Sequence, residues 1–199
     1  LQDLLKLKGW TTDKYVEKNA TEEHVKELES PKIFHIATHG FYTPSVDQDD
    51  VSQLTESEAQ MTEDPLLKTG LLLKGAGDVR NKSKYNYNIE SGILTAYEAM
   101  SLNLDRTDLV VLSACETGLG DIKGSEGVYG LQRAFKMAGV KFIIMSLWQV
   151  PDKETEEFMT AFYTKLLKLK DIRKSFNETQ KEMRGKYDPY YWGAFVLIE

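Results

Sequence analysis

The chain has 199 residues, 41 % of them hydrophobic and 28 % charged, with a formal charge of −6 and a pI near 5.2. That acidity excludes a surface built to neutralise phosphates, and no apolar run is long enough to span a bilayer, so neither nucleic acid nor a membrane is an expected partner. One cysteine cannot form an internal disulfide, there is no signal-peptide pattern, and the length suits a single domain, so a reducing cytoplasm is the expected setting.

The first residue is Leu1 rather than Met, and Leu1, Leu4 and Leu5 open inside an apolar-periodic pattern, so the chain reads as a fragment of something longer. Residues 1–8 read as the end of an amphipathic helix stopped by Gly9, and Lys14–Lys18 as a short strand. Thr21 is placed to cap a helix running to about Glu29, with Pro31 as the stop. Lys32–Thr38 is apolar on both faces, which predicts a central parallel strand ending at His39-Gly40. From Thr43 to Asp64 acidic and small polar residues crowd out apolar anchors, the composition of an exposed loop. Leu66–Leu67 and Gly70–Lys74 read as short strands around a turn, and Gly75–Asn88 as a second polar loop.

Thr95-Ala96-Tyr97-Glu98 has the form of a capping box and predicts a short helix. The apolar run Asp108–Leu112 then delivers Ser113, Ala114 and Cys115 to a loop, Gly118–Gly130, rich in glycine. Val128–Ala138 reads as a helix closed by Gly139, and Lys141–Trp148 as another buried strand. Asp152 is read as the N-cap of a long helix through Leu169, with Phe158, Phe162, Leu166 and Leu169 in one stripe. A further helix spans Asp171–Arg184, and Tyr190–Ile198 closes as a strand. Apolar strands alternating with helices predict an α/β three-layer sandwich, a mostly parallel sheet flanked by helices.

In open α/β sheets the reacting side chains gather beyond the carboxyl ends of the strands, and both Cys115 and His39 are read there. A free thiol has a pKa near 8.5 and is only a few per cent thiolate at neutral pH, so it needs a neighbouring imidazole as base or ion-pair partner. His39 fits that role, and the amides of Gly40 and of Cys115 itself are the candidate donors to a developing oxyanion. The opposing reading is that Cys115 is a small buried hydrophobe. No metal is expected: His35 and His39 are four residues apart on a strand, about 13 Å, too far to share an ion. His35 is then a packed core residue and His24 a solvated one. Nor is a nucleotide cofactor expected, because Gly118, Gly120 and Gly124 miss the G-x-G-x-x-G spacing and Lys123 precedes its glycine where a phosphate loop needs Gly-Lys-Ser/Thr. Asp152, Glu154 and Glu156 open the long helix, where the helix dipole favours carboxylates whether or not they read a substrate.

Several ordered motifs resemble one family. Ala37-Thr38-His39-Gly40, Leu112-Ser113-Ala114-Cys115-Glu116-Thr117-Gly118, Gly124-Ser125-Glu126-Gly127, Leu131-Gln132-Arg133-Ala134-Phe135, Ser146-Leu147-Trp148-Gln149-Val150-Pro151-Asp152 and Tyr191-Trp192-Gly193-Ala194-Phe195 are together similar to the CHAT domain, a caspase-like domain often found behind tetratricopeptide repeats in bacteria. Family members normally begin with a strand that precedes the first residue here, in keeping with the expectation of a fragment. The resemblance implies the mechanism of caspases, separase and gingipains: Cys115 as nucleophile, His39 as general acid/base, and Gly40 with the Cys115 amide as oxyanion hole. Leu147–Asp152 also resembles a separase segment beside the pocket for the residue before the cut, which implies that Asp152, and less directly Glu154 or Glu156, selects arginine.

Three functions follow as expectations. The first is a cysteine endopeptidase acting on a protein or peptide substrate under control of an upstream tetratricopeptide-like domain or activator. The second is a protein-binding scaffold that keeps the fold without the chemistry. A nucleotide switch is the third.

Overall fold

A computed structural model describes residues 1–42, 66–76, 92–113 and 125–199. Cys115, its amide, Gly118, Gly120, Gly124, the polar segment Thr43–Asp64 and most of Gly75–Asn88 lie outside the described residues.

Two sheets organise these residues. The larger has the order β1-β5-β6-β7, where β1 is Ile33–Ile36, β5 Leu109–Leu112, β6 Phe142–Ser146 and β7 Phe195–Ile198. β5 runs parallel to both β1 and β6, and β7 is antiparallel to β6. All four residues of β5 are buried, as expected of a strand covered on both faces. Strand alternation separates two cores. Val110, Leu112, Ile143 and Met145 point to one face, where they pack with Leu131, Ala134 and Phe135 of helix α4 (Ser125–Met137). Leu109, Val111 and Ile144 point to the other, against Phe158, Phe162 and Tyr163 of α5 (Asp152–Leu169) and Phe176 and Met183 of α6 (Ile172–Arg184). Helices on both faces of a mostly parallel sheet give the three-layer α/β sandwich the sequence predicts.

The smaller sheet is antiparallel and has the order β2-β3-β4, from His39–Tyr42, Thr69–Leu72 and Ile93–Thr95. It packs through Leu71 and Leu94 into the α4-side core. Its middle strand requires glycine at position 70, because a Cβ there would lie 2.7 Å from Phe41 Cε1 and 2.9 Å from Thr95 Cα. β4 leads directly into α3 (Ala96–Ala99), where Thr95 and Glu98 form the expected capping box.

The N-terminal region holds α1 (Gln2–Leu7), followed by Gly9 at φ +78°, and α2 (Glu22–Lys26), capped by Thr21. α2 ends earlier than expected. Its Glu22 is buried at 2 % exposure, where it accepts the Gly92 N–H at 2.9 Å and pairs with Lys26 at 2.6 Å, thereby anchoring the entry to β4.

Several expectations need correction. Lys14–Lys18 is not a strand: a 3₁₀ turn begins at Glu17, whose φ of +51° breaks extended geometry. Leu66–Leu67 is a turn, and only Thr69–Leu72 is extended. Among the described residues β1 lies at the sheet edge rather than its centre. Asp152 is the first helical residue of α5, not its cap; Pro151 holds the cap position and accepts the Thr155 N–H at 3.0 Å. Tyr190–Trp192 is helical, within α7 (Pro189–Trp192), because Pro189 fixes a helical φ at the first position and only Phe195 onward pairs with β6.

Candidate active site

The carboxyl edge of the larger sheet gathers three segments side by side. Register sets Ile36 opposite Leu112 and Leu112 opposite Met145, so the chain leaves β1, β5 and β6 at one level. From β1 it continues to His39, from β5 to Ser113, and from β6 through Ser146 to Trp148 and Asp152.

His39 does not sit in a glycine turn. It opens β2, opposite Leu72, with an exposed side chain; Gly40 is buried inside that strand, opposite Leu71. The expected turn is replaced because β3 offers β2 a ladder, and Thr38 Oγ1 donates to the Leu72 carbonyl just ahead of it. His39 therefore belongs to the smaller sheet, although it follows a strand of the larger.

Below this edge, on the α5 face, lies a hydrogen-bonded chain that sequence reasoning missed. His35 Nδ1 is 3.1 Å from the Tyr163 hydroxyl, and His35 Nε2 is 3.2 Å from Ser113 Oγ. Ser113 Oγ in turn donates to the Ile36 carbonyl at 3.3 Å, the same carbonyl that takes the Ser113 N–H at 3.0 Å. One set of protons satisfies every member: Tyr163 O–H donates to Nδ1, Nε2–H donates to Ser113, and Ser113 O–H donates to Ile36. That set needs a neutral imidazole, and burial pushes the His35 pKa down to about 4. Burial also raises the Tyr163 pKa, which keeps its hydroxyl a donor. The rings of His35 and Tyr163 stack at 5.7 Å and 11°. His35 is thus a hydrogen-bonded cross-tie rather than a merely packed histidine, with both ring nitrogens engaged. His24 is not simply solvated either: its ring contacts Thr21 Oγ1 at 2.9 Å and lies 4.5 Å from the ring of Tyr15.

The third segment is braced from α7. Trp148 Nε1 donates to the Tyr190 carbonyl at 2.9 Å, Tyr190 O–H donates to the Gln149 carbonyl at 2.8 Å, and the Leu147 N–H donates to Ala194 at 2.9 Å. Leu147 and Tyr190 remain exposed, which leaves an apolar rim beside the β6 exit. Asp152 and Glu156 are exposed and one turn apart on α5, whereas Glu154 is half-buried and its charge acts on Tyr187 near the α6–α7 junction. The three carboxylates do not converge on one point. Among the described residues no cluster of three His, Cys, Asp or Glu side chains could hold a metal ion, and no helix is long and apolar enough to cross a membrane.

A mostly parallel sheet between two helical layers, with the histidine and the approach to the cysteine at one carboxyl edge, defines a caspase-like α/β domain. The sequence profile of the CHAT domain matches residues 3–199, and the chain belongs to that family. Among curated proteins it is similar to tetratricopeptide repeat protein 28 of Mus musculus, 33 % identical over 109 residues, and of Homo sapiens, 32 % identical over 109 residues. Each match covers 53 % of this chain and 4 % of the relative, so the chain corresponds to a small part of those proteins. Both relatives are mammalian, whereas the resemblance pointed to bacteria.

Proposed function

We propose that the chain is a cysteine endopeptidase module in which Cys115 is the nucleophile and His39 the general acid/base. The observation that carries this reading is the register of β1 against β5: His39 and Cys115 each stand three residues beyond a directly paired position, Ile36 and Leu112.

In this scheme the Cys115 thiolate forms a bond to the carbonyl carbon of the scissile peptide. The oxyanion so formed accepts from the Gly40 and Cys115 amides. Collapse breaks the C–N bond, and the leaving amine takes a proton from His39. Water, giving a proton back to His39, then hydrolyses the thioester to release a carboxylic acid and regenerate the Cys115 thiolate. The substrate is a protein or peptide, and regulation comes from an upstream tetratricopeptide-like domain or another activator. The names of the two relatives support that partner.

Thiol alkylation tests the reading cleanly because Cys115 is the only cysteine. A thiol paired with His39 will react with iodoacetamide well below pH 8, and the His39→Ala chain will need a pH nearer 8.5. An ordinary profile in both proteins would instead establish the scaffold.

Asp152 is assigned to substrate selection, with Glu156 beside it and Glu154 as a weaker contributor. The Asp152→Asn chain is expected to lose about 10-fold or more in kcat/KM on peptides with arginine before the cut, the cost of leaving a guanidinium unpaired, and little on others. Equal losses on both peptide types would remove Asp152 from that role.

A further inference from the structure

We infer that the Tyr163–His35–Ser113 chain is the positioning device of the candidate nucleophile, tying the β5 exit to the β1 exit and to helix α5. The inference rests on the endopeptidase reading, which uses none of these three residues.

The case begins with where the chain ends. Ser113 stands two residues before Cys115, and His35 four before His39, so the ties fall on both strands that lead to the reacting groups. β1 is paired on one side only among the described residues, and ladder ends of that kind open readily. Here the end is held twice at one point, because the Ile36 carbonyl takes both the Ser113 N–H and the Ser113 hydroxyl. His35 then carries the restraint across to Tyr163, which is 1 % exposed and lies in the buried stripe of α5 with Phe158, Phe162 and Leu166. The exit of β5 is thereby referenced to a helix that buries five side chains in that core.

Chemistry argues for position over packing. Leu109 and Val111 fill the same face of the same strand with hydrocarbon alone. The next residue on that face is Ser113, and its partner on β1 is an imidazole, so volume is not what these positions supply. Both ring nitrogens of His35 take a side-chain hydroxyl partner, and deletion of either hydroxyl removes one of those two ties. A reacting atom displaced by about 1 Å loses about 100-fold in rate, which makes a fixed strand exit valuable to a nucleophile.

The test uses two deletions that keep the fold's volume, Tyr163→Phe and Ser113→Ala, in the 199-residue chain. The readouts are the pH profile of Cys115 alkylation by iodoacetamide, and kcat and KM on a peptide the native chain cleaves. Both variants are expected to move the alkylation midpoint up by about one pH unit toward the ordinary thiol value, and to lower kcat about 10-fold or more with KM changed less than about twofold. Met183→Ala serves as the control: Met183 is fully buried in the same core on α6, and its truncation will lower Tm without moving the profile. A native profile below pH 8 that neither variant shifts overturns the positioning role and leaves the nucleophile standing. A native profile already at the ordinary thiol value overturns the nucleophile and this inference with it. A shift of the same size in Met183→Ala overturns the positioning role, because general loosening would then account for it.

Discussion

Replacement of Cys115 by alanine is expected to reduce hydrolysis of any peptide cleaved by the native chain by about 10⁴-fold or more, and His39→Ala to come close to the same loss. On the proposed mechanism, alanine at position 115 removes the sulfur that would form the acyl bond. On the same mechanism, alanine at position 39 would leave the thiol to ionise unaided and the departing amine without a proton donor. Because the two side chains act in one step, the double variant is expected to be no worse than Cys115→Ala alone. Fluorescence release from a peptide set, followed to completion, reads all three. Survival of more than about a tenth of the native rate in Cys115→Ala would assign the cleavage to another group and return the fold to a scaffold role.

Acid will destabilise the chain by about 2–3 kcal/mol between pH 7 and pH 4.5 through His35 alone. Its folded pKa is lowered from about 6.5 to about 4, so the neutral form is favoured in the native state and the unfolded chain binds more protons throughout that interval. The contribution is complete above pH 6.5, is lost as pH falls, and is exhausted near pH 4. Part of the residue still meets solvent at the strand edge, which makes the upper figure a ceiling. Two lowered carboxylates fall outside this window. Glu182 is held down to about 2 by its hydrogen bonds with Lys165 and Lys186, and Glu98 is lowered against burial by its bonds with Thr95 and Lys26, so both lose their stabilising effect only below about pH 4.5. Among the described residues the titratable side chain facing His35 is Tyr163, which stays protonated across the range. Urea unfolding of native and His35→Gln chains at pH 7, 6, 5 and 4.5 is the measurement. The variant should be less stable at pH 7 and show a flatter pH dependence; parallel curves would mean that His35 titrates alike folded and unfolded.

These two predictions draw on unequal shares of the sequence. Cys115 and His39 stood out as candidates because each follows an apolar run, and β5 and β6 carry that apolarity on both faces. Local chemistry was legible too: the Thr95–Glu98 box closes within four residues, and α5 ends at Leu169, where expected, with Lys170 in the left-handed conformation. Structure that depends on a distant partner was not. β4 is three residues long and exists because β3 lies beside it. β2 is extended because Leu71 and Leu72 pair with Gly40 and His39, which no reading of residues 33–42 contains. Tyr190 and Tyr191 have the composition of a strand, yet Pro189 at the first position and Asp188 before it start a helix. The Tyr163–His35–Ser113 chain joins residues 128 and 78 positions apart, beyond any periodicity.

The division between two sheets separates integrity from competence. On the reading proposed here, the histidine rides on three short strands and the cysteine follows a strand of the larger sheet, with Ala37 and Thr38 as the covalent bridge between β1 and β2. Opening of a few short strands is a local event that costs less than unfolding of the whole molecule. Circular dichroism and calorimetry will mainly report the larger sheet and its helices, so a preparation that passes both tests can still be silent. On that reading an upstream domain would need only to set the small sheet against the large one, and a ligand that raises Tm without raising turnover would be acting on the wrong half.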